Sequence, residues 1–224
     1  SHEVRSPLNG ILGMTQLLRE TNLDPDQKNI TQNIKTCGES LLTIVNDLLD
    51  FSKIEAGQFQ VDCHPCNIRD CLSSLKEVHS YRTKKRNIQF KINVSDKVPE
   101  VIMTDKTRVT QILVNLLDNA FKFTYSGSIE VDVSVHSKKH ENYTLTFAIK
   151  DTGIGISESD SDNIFSAFGQ VDSSHSRENP GTGLGLSISK KLCELLGGHI
   201  WFNSKLGHGT SFYFTIHTQE LKNF

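Results

Sequence analysis

The chain has 224 residues, which at roughly 150 residues per domain corresponds to about one and a half domains. Its 26 acidic and 24 basic residues give a net charge of −2, and without a basic surplus we expect neither nucleic acid nor an anionic membrane as a partner. No apolar run approaches the roughly 20 residues of a membrane span, and no signal peptide opens the sequence. Five cysteines favour a reducing compartment over a disulfide framework. We therefore expect a cytoplasmic fragment of two compact units.

The first predicted unit, residues 1–57, is a helical hairpin. Apolar residues follow helical spacing over Leu8–Leu18, and a second helical run extends from Pro25 to Gly57. Asp24 is expected to cap the second helix. Each helix carries more apolar surface than one partner helix covers, so we expect two copies to pair as a four-helix bundle, with packing onto the rest of the chain as the alternative. The second run keeps a heptad spacing, with apolar residues at Ile30, Ile34, Cys37, Leu41, Ile44, Leu48 and Phe51.

His2 begins the polar face of the first helix. An isolated exposed histidine is usually without function, but Glu3 follows this one and Pro7 loosens the helix nearby. A neighbouring carboxylate can hold an imidazole in the tautomer that leaves one ring nitrogen as a nucleophile. The other residues on this face are Arg5, Ser6, Asn9 and Gln16.

After a linker at 58–65, the second predicted unit, residues 66–224, mixes helices and strands. The strands come in adjacent pairs, which favours an α+β fold with one mixed sheet covered by helices on one face. The predicted helices are Ile68–Lys84, Lys106–Phe123 and Gly185–Leu196, and the strands are Ile88–Val94, Ser128–Val135, Tyr143–Asp151, His199–Asn203 and Thr210–Ile216.

The helix predicted at Lys106–Phe123 has one apolar and one polar face. A polar face is most often merely solvated, but asparagine is a poor helix former, so two asparagines in line with a lysine are unusual. Amide oxygens are suitable ligands for Mg²⁺, and a lysine one turn further can meet a phosphate. The polar residues are Arg108, Gln111, Asn115, Asn119 and Lys122.

Three glycine clusters follow, and they suggest a phosphate site. Glycines just before a helix let backbone N–H groups close on a phosphate. The stretch between Gly155 and Gly181 lacks clear periodicity, as is typical of a mobile lid. Neither the lysine-containing phosphate loop nor the dinucleotide fingerprint is matched. The clusters are Gly153 and Gly155, then Gly181, Gly183 and Gly185, and finally Gly207 and Gly209.

Five segments together resemble the motifs of sensor histidine kinases, in the order and spacing of that family. The chain is most similar to hybrid kinases, through the segment Phe168–Ser173. The resemblance implies an antiparallel hairpin for dimerisation and histidine phosphotransfer, followed by an α/β sandwich of the Bergerat ATP-binding type. The H-box resembles Ser1–Asn9, the N-box Asn115–Thr124, the G1-box Asp151–Gly155, the F-box Phe165–Phe168 and the G2-box Gly181–Leu186.

The same resemblance implies catalytic roles for three residues. His2 would accept the phosphoryl group of ATP, with Glu3 as its base or orienting partner, and Arg177 would stabilise the charge that is transferred. The implied activity is autophosphorylation as the transmitter core of a two-component or phosphorelay system, with transfer to an aspartate of a response-regulator receiver domain in the same or another chain. The implied assembly is a homodimer through the 1–57 hairpin.

The resemblance also implies the residues that hold ATP and Mg²⁺. Asn119 with Asn115 would hold the metal ion, Lys122 would meet the phosphates, and Asp151 would accept the adenine amino group. The remaining nucleotide-binding positions would be Gly153, Gly155, Gly181, Thr182, Gly183, Leu184, Gly185 and Thr210.

Two departures and one alternative motif remain. Pro180 stands where the family more often has glycine, and Ser6 stands where many relatives use Thr or Asn to dephosphorylate a partner, which puts phosphatase activity in doubt. The Cys63–Cys66 pair permits a redox site or, with Cys71, a zinc site. No second CxxC follows, so we expect an ordinary connection there, and we expect Cys37 and Cys193 in apolar cores.

Two other functions stay open. One is an ATPase of the chaperone, gyrase or mismatch-repair class, which would place an acidic base one turn before the Mg²⁺ asparagine, where this chain has Asn115. The other is a degenerate scaffold that dimerises without chemistry, which the intact glycine motifs disfavour.

Overall fold

A computed structural model describes residues 2–169 and 183–221, without the side chains of residue 2 and of residues 80–82 and 84–86. The chain divides into two compact units, Ser1–Phe59 and Gln60–Phe224. The predicted class, a helical hairpin followed by a mixed α/β sheet domain, is confirmed. In the part of the chain that the structure describes, no helix combines the length and the apolar character needed to cross a membrane.

The first unit consists of helices α1 (His2–Arg19) and α2 (Pro25–Glu55). The predicted cap at Asp24 is confirmed as a capping box: its carboxylate accepts from the Gln27 backbone N–H at 2.8 Å, and its own N–H donates to the Gln27 side chain at 3.1 Å. Helix α1 continues through Pro7. Because proline lacks an N–H, the carbonyl oxygen of Glu3 loses its usual helical partner there.

The two helices of the hairpin pack through a narrow contact. Leu8, Thr15, Thr31 and Gly38 are buried, and a Cβ at Gly38 would lie 2.7 Å from Leu12 Cδ2. The apolar residues of the heptad row remain exposed in the single chain, except Phe51, which is half-buried, and Cys37, which we expected in a core, is exposed with them. The exposed apolar residues are Val4, Ile11, Met14, Leu17, Leu18, Ile30, Ile34, Leu41, Ile44 and Leu48, which we call the hairpin seam.

The second unit is built around a five-stranded sheet in the order β2-β4-β5-β7-β6, in which β2 and β4 are parallel and the other pairs antiparallel. One face packs against helices α4 and α6, where the rings of Phe147 and Phe214 stack at 4.5 Å. The strands are β1 (His64–Asn67), β2 (Ile88–Val94), β3 (Val101–Thr104), β4 (Gly127–Lys139), β5 (Asn142–Asp151), β6 (Ile200–Lys205) and β7 (Gly209–Gln219); the helices are α3 (Ile68–Arg86), α4 (Lys106–Phe123), α5 (Glu158–Ser161) and α6 (Gly185–Leu195).

Strands β1 and β3 form a separate antiparallel pair that the sequence did not predict. Each has only four residues, and β1 begins at His64, inside the 58–65 stretch that we expected to be a linker. Cys66 and Cys71 are buried at this point, and burial raises the pKa of the Cys66 thiol. All five cysteines are free, and among the described residues no group of three His, Cys, Asp or Glu side chains could hold a metal ion.

Candidate active site

Helix α4 carries the predicted metal and phosphate ligands, and its first turn is firmly fixed. Its cap is Asp105, which is buried. One carboxylate oxygen accepts from the Arg108 backbone N–H at 3.1 Å, and the other accepts from the Asp62 backbone N–H at 3.0 Å. An aspartate directly before Lys106 is a typical N-cap signal, so the sequence could have identified this residue.

The apolar row of α4 is buried as predicted, and Asn115 in its polar row contacts α6. The side-chain nitrogen of Asn115 lies 3.2 Å from the Gly185 carbonyl oxygen and 3.4 Å from Ser189 Oγ. Because the amide nitrogen donates to α6, the amide oxygen is the atom that Asn115 can offer to a cation. Asn115 therefore joins the two helices as well as belonging to the candidate metal site.

The other two predicted ligands on α4 follow at one-turn intervals. Asn119 and Lys122 are both half-buried. The Lys122 ammonium lies 5.1 Å from the centroid of the Phe123 ring, and burial lowers the pKa of this lysine. A partly desolvated ammonium interacts more strongly with an anion than one that is fully hydrated.

Asp151 ends β5 and is held in place by two backbone groups. Its Oδ1 accepts from the Gly153 N–H at 2.9 Å and from the Thr210 N–H at 3.2 Å. Burial raises the pKa of Asp151, and the two N–H donors act against that increase. Both of these bonds use Oδ1, which leaves Oδ2 for a donor on a ligand. The structure thus brings together Asp151, Gly153 and Thr210, three residues that the resemblance assigns to nucleotide binding.

The first glycine motif requires glycine for lack of space. A Cβ at Gly153 would overlap the carbonyl oxygen of Phe123, and a Cβ at Gly155, whose φ is +71°, would overlap that of Lys205. The loop is further held by the Ile154 N–H, which donates to the Phe123 carbonyl at 3.2 Å. Close approach of this loop to the end of α4 places the adenine and phosphate residues in one region.

The second glycine motif is described only from Gly183 onward. Gly183 has a φ of +69° and its carbonyl accepts from the Phe168 N–H at 3.1 Å, so the F-box and G2-box segments are bonded to each other. Leu184 is buried, and Gly185 begins helix α6. Backbone N–H groups at such a helix start can bind a phosphate.

Several predicted positions lie outside the described residues: Arg177, Pro180, Gly181, Thr182 and the rest of the predicted lid from residue 170 onward. The side chain of His2 is likewise not described, although its backbone begins α1. Glu3 is exposed. His2 and Glu3 belong to the first unit, whereas the ATP-site residues belong to the second.

One residue of the site, Ser204, carried no signal in the sequence. Its hydroxyl lies 2.8 Å from the Ile156 backbone nitrogen and 2.9 Å from Thr210 Oγ1. A lone serine in a short strand has no distinctive spacing, and its partners come from two other segments of the chain. Only the folded sheet brings them together.

Comparison with known proteins identifies both units. The family described as histidine kinase-, DNA gyrase B-, and HSP90-like ATPase matches residues 104–220, and the His Kinase A (phospho-acceptor) domain matches residues 1–57.

Similar proteins carry the same two parts. Hybrid signal transduction histidine kinase K of Dictyostelium discoideum is 39% identical over 98% of this chain and 19% of its own length. The signal transduction histidine-protein kinase BarA of Escherichia coli (strain K12) is 39% identical over 96% of this chain and 24% of its own length. The crystal structure of full-length ShkA in complex with AMPPNP superposes with a TM-score of 0.81 at 33% identity, covering 99% of this chain and 45% of that one. The chain therefore spans only about a fifth to a quarter of the curated relatives that it matches here.

Proposed function

The chain belongs to the sensor histidine kinases, with a phosphoacceptor domain followed by an ATPase domain, and we propose that it uses ATP to phosphorylate its own His2. The phosphoryl group then passes to an aspartate of a receiver domain. The single observation that carries this proposal is the position of Asp151, held by the backbone N–H groups of Gly153 and Thr210, in a chain whose first helix begins at His2 within a phosphoacceptor domain.

The residues present fit ATP and Mg²⁺. Gly153 and Gly155 let the first glycine motif pack against the backbone of Phe123 and Lys205, beside Asp151, and Asp151 Oδ2 accepts the adenine amino group. Asn119 and the amide oxygen of Asn115 would hold Mg²⁺, which would neutralise charge on the phosphate oxygens. Lys122 and the N–H groups at the start of α6 bind the phosphates.

The transfer step follows from these roles. A neutral imidazole nitrogen of His2 attacks the terminal phosphorus, the bond from that phosphorus to the oxygen of ADP breaks, and the proton of the imidazolium passes to Glu3 or to water. The protein contributes position and charge more than covalent chemistry. Arg177 neutralises charge on the group in transfer, which predicts that Arg177→Ala lowers kcat more than it raises the KM for ATP.

Two partners follow from the first unit. The hairpin seam leaves ten large apolar side chains exposed in the single chain, and a second copy of the hairpin buries them in a four-helix bundle. A receiver domain collects the phosphoryl group at the exposed start of α1. Dimerisation and transfer to the receiver therefore use different faces of the hairpin.

The test is phosphorylation with γ-labelled ATP and Mg²⁺. We expect a label that is stable to base and labile to acid, as a phosphoramidate on histidine is, and that moves to an added receiver domain. His2→Gln should abolish the label while ATP binding is unchanged, because His2 is in the other unit from the nucleotide contacts.

The matched control is His136→Gln, which changes an exposed histidine on β4 and should leave labelling intact. A stable label in His2→Gln would exclude His2 as the acceptor. ATP hydrolysis without any protein label would instead favour the chaperone or gyrase class of ATPase.

A further inference from the structure

The β6–β7 hairpin places a serine beside the candidate adenine site. Ser204 on β6 and Thr210 on β7 are directly paired in the antiparallel register. Both side chains lie on the face that carries Phe202 and Phe212, because residues two apart in a strand share a face. This is the helix-covered side of the sheet, the side on which Asp151 accepts the Thr210 N–H.

The Ser204 hydroxyl has three neighbours at hydrogen-bond distance. Its oxygen accepts from the Ile156 N–H at 2.8 Å. It also lies 3.0 Å from the Gly209 carbonyl oxygen and 2.9 Å from Thr210 Oγ1. A serine hydroxyl has one proton to donate and two lone pairs to accept with.

The contact with the Gly209 carbonyl sets the direction of the other two bonds. The Gly209 carbonyl can only accept, and the Ser204 proton goes to it. Either hydroxyl of the Ser204–Thr210 pair could donate to the other, but with the Ser204 proton on Gly209 the Thr210 hydroxyl is the donor, and Ser204 accepts from Ile156 with its other lone pair. In this arrangement Thr210 has no proton left for a ligand, and its oxygen can only accept.

We propose that Ser204 is a positioning residue for base selection. It accepts the hydrogen bond of the Thr210 hydroxyl, so that the site offers adenine two acceptors, Asp151 Oδ2 and Thr210 Oγ1, and no hydroxyl donor. The inference rests on the proposed function, in which Asp151 reads the adenine amino group. That amino group donates, whereas the corresponding carbonyl of guanine accepts and would meet two acceptors.

The same hydroxyl also holds the first glycine motif. Ile156 directly follows Gly155, whose backbone packs against the carbonyl of Lys205. Loss of the Ser204 oxygen would therefore release both the Thr210 hydroxyl and the end of the loop, but only the first effect changes which base is preferred.

The experiment measures the ratio of the ATP to the GTP dissociation constant by calorimetry in the presence of Mg²⁺. Ser204→Ala should reduce the preference for ATP by about tenfold, as expected when a site group is free to reverse its hydrogen bond. Ser204→Thr keeps a hydroxyl and should retain the preference. Ser211→Ala, a neighbouring serine on the opposite face of β7, is the matched control and should also retain it.

A double-mutant cycle separates the proposal from a merely structural role. If Ser204 acts through Thr210, Ser204→Ala should not change the preference further in a Thr210→Val background. An unchanged preference in folded Ser204→Ala, or an equal loss in both backgrounds, would overturn the proposal. Ser204→Cys, with a weakly bonding thiol, is measured alongside and is judged by the same criteria if the alanine variant does not fold.

Asp151→Asn is included to separate the two levels of the inference. If it leaves ATP affinity unchanged, the adenine-reading role of Asp151 fails. If it weakens ATP binding while Ser204→Ala does not alter the base preference, only the role of Ser204 fails.

Discussion

The side-chain amide of Asn115 donates to the carbonyl oxygen of Gly185 at 3.2 Å, although the two residues are 70 positions apart in the chain. The bond joins the helix that carries the candidate Mg²⁺ ligands to the helix whose first residue ends the second glycine motif. The candidate metal and phosphate residues are thereby held at a fixed spacing in the absence of nucleotide. Asn115 has a structural task that its resemblance to a metal ligand does not reveal.

Asn115→Asp tests whether this residue matters more as a Mg²⁺ ligand or as the link between α4 and α6. A carboxylate is a better Mg²⁺ ligand than an amide oxygen, but it cannot donate to Gly185 and would place a second acceptor against that carbonyl. We expect the free energy of unfolding to fall by about 1–3 kcal/mol, and ATP affinity to fall with it, in urea unfolding and calorimetry. The control is Asn203→Asp, which changes an exposed residue on β6. A variant of undiminished stability that bound Mg²⁺ and ATP more tightly would contradict this expectation.

Asp151→Asn should affect the stability of the fold and the affinity for ATP differently, and its effect on stability should depend on pH. Burial raises the pKa of Asp151 above the ordinary 3.8, so the ionised carboxylate costs the folded state free energy at all pH values above the raised pKa. That cost disappears as the pH falls through the raised pKa toward 3.8. Asparagine carries no such cost. Without nucleotide, the variant should therefore be at least as stable as the parent at pH 7, and this advantage should shrink on acidification.

The same substitution should weaken ATP binding, because an amide presents a donor where the carboxylate only accepts. Urea unfolding at several pH values, paired with calorimetry, measures both effects. Asp96→Asn, an exposed aspartate, should change neither. An advantage in stability that grew on acidification would show that ionisation of Asp151 is not the cause.

Ile44→Glu combined with Leu48→Glu should convert a dimer to monomers, since two charges would be buried in the proposed bundle. Both positions belong to the hairpin seam and are exposed in the single chain. Light scattering measures the mass. Thr36→Glu with Thr43→Glu adds the same charge on another face of α2, outside the seam, where both threonines are exposed, and should leave the dimer intact. Persistence of the dimer in the seam variant would locate the interface elsewhere.

Gly207 and Gly209 lie in the same turn, so alanine substitutions at the two positions can be compared directly. Both have a positive φ, +78° and +97°, but a Cβ at Gly207 meets open space whereas one at Gly209 would overlap the backbone carbonyl of Asp151. Gly207→Ala should cost about 1–2 kcal/mol of stability from backbone conformation alone. Gly209→Ala should cost more and should also weaken ATP binding, because Asp151 must move. Equal stability losses and unchanged ATP affinity would argue against the close approach.

The sequence predicted the features that depend on local spacing. The helix cap at Asp24, the buried row of α4 and the strands of the main sheet all follow from periodicity or from residues a few positions apart. The ends of these elements agree within a few residues, except where β4 extends to Lys139, beyond the predicted Val135.

The features that the sequence missed depend on distant pairing. Strands β1 and β3 are too short to show alternation, and each has its strand partner more than thirty residues away in the chain. The bond from Asp62 to Asp105 and the contacts of Ser204 likewise join separate segments. The motif resemblance identified Asp151 and Thr210, but not Ser204 on β6, which contacts Thr210.

The exposed hairpin seam also governs how the protein unfolds. A unit that completes its core with a second copy has a stability that depends on protein concentration, because dilution favours separation and unfolding by mass action. The second unit has its own buried core, formed around Phe147, Phe214 and the apolar row of α4, and melts independently of dilution. Calorimetry on this chain should therefore resolve two transitions, of which the one from the helical hairpin moves to higher temperature as the protein is concentrated.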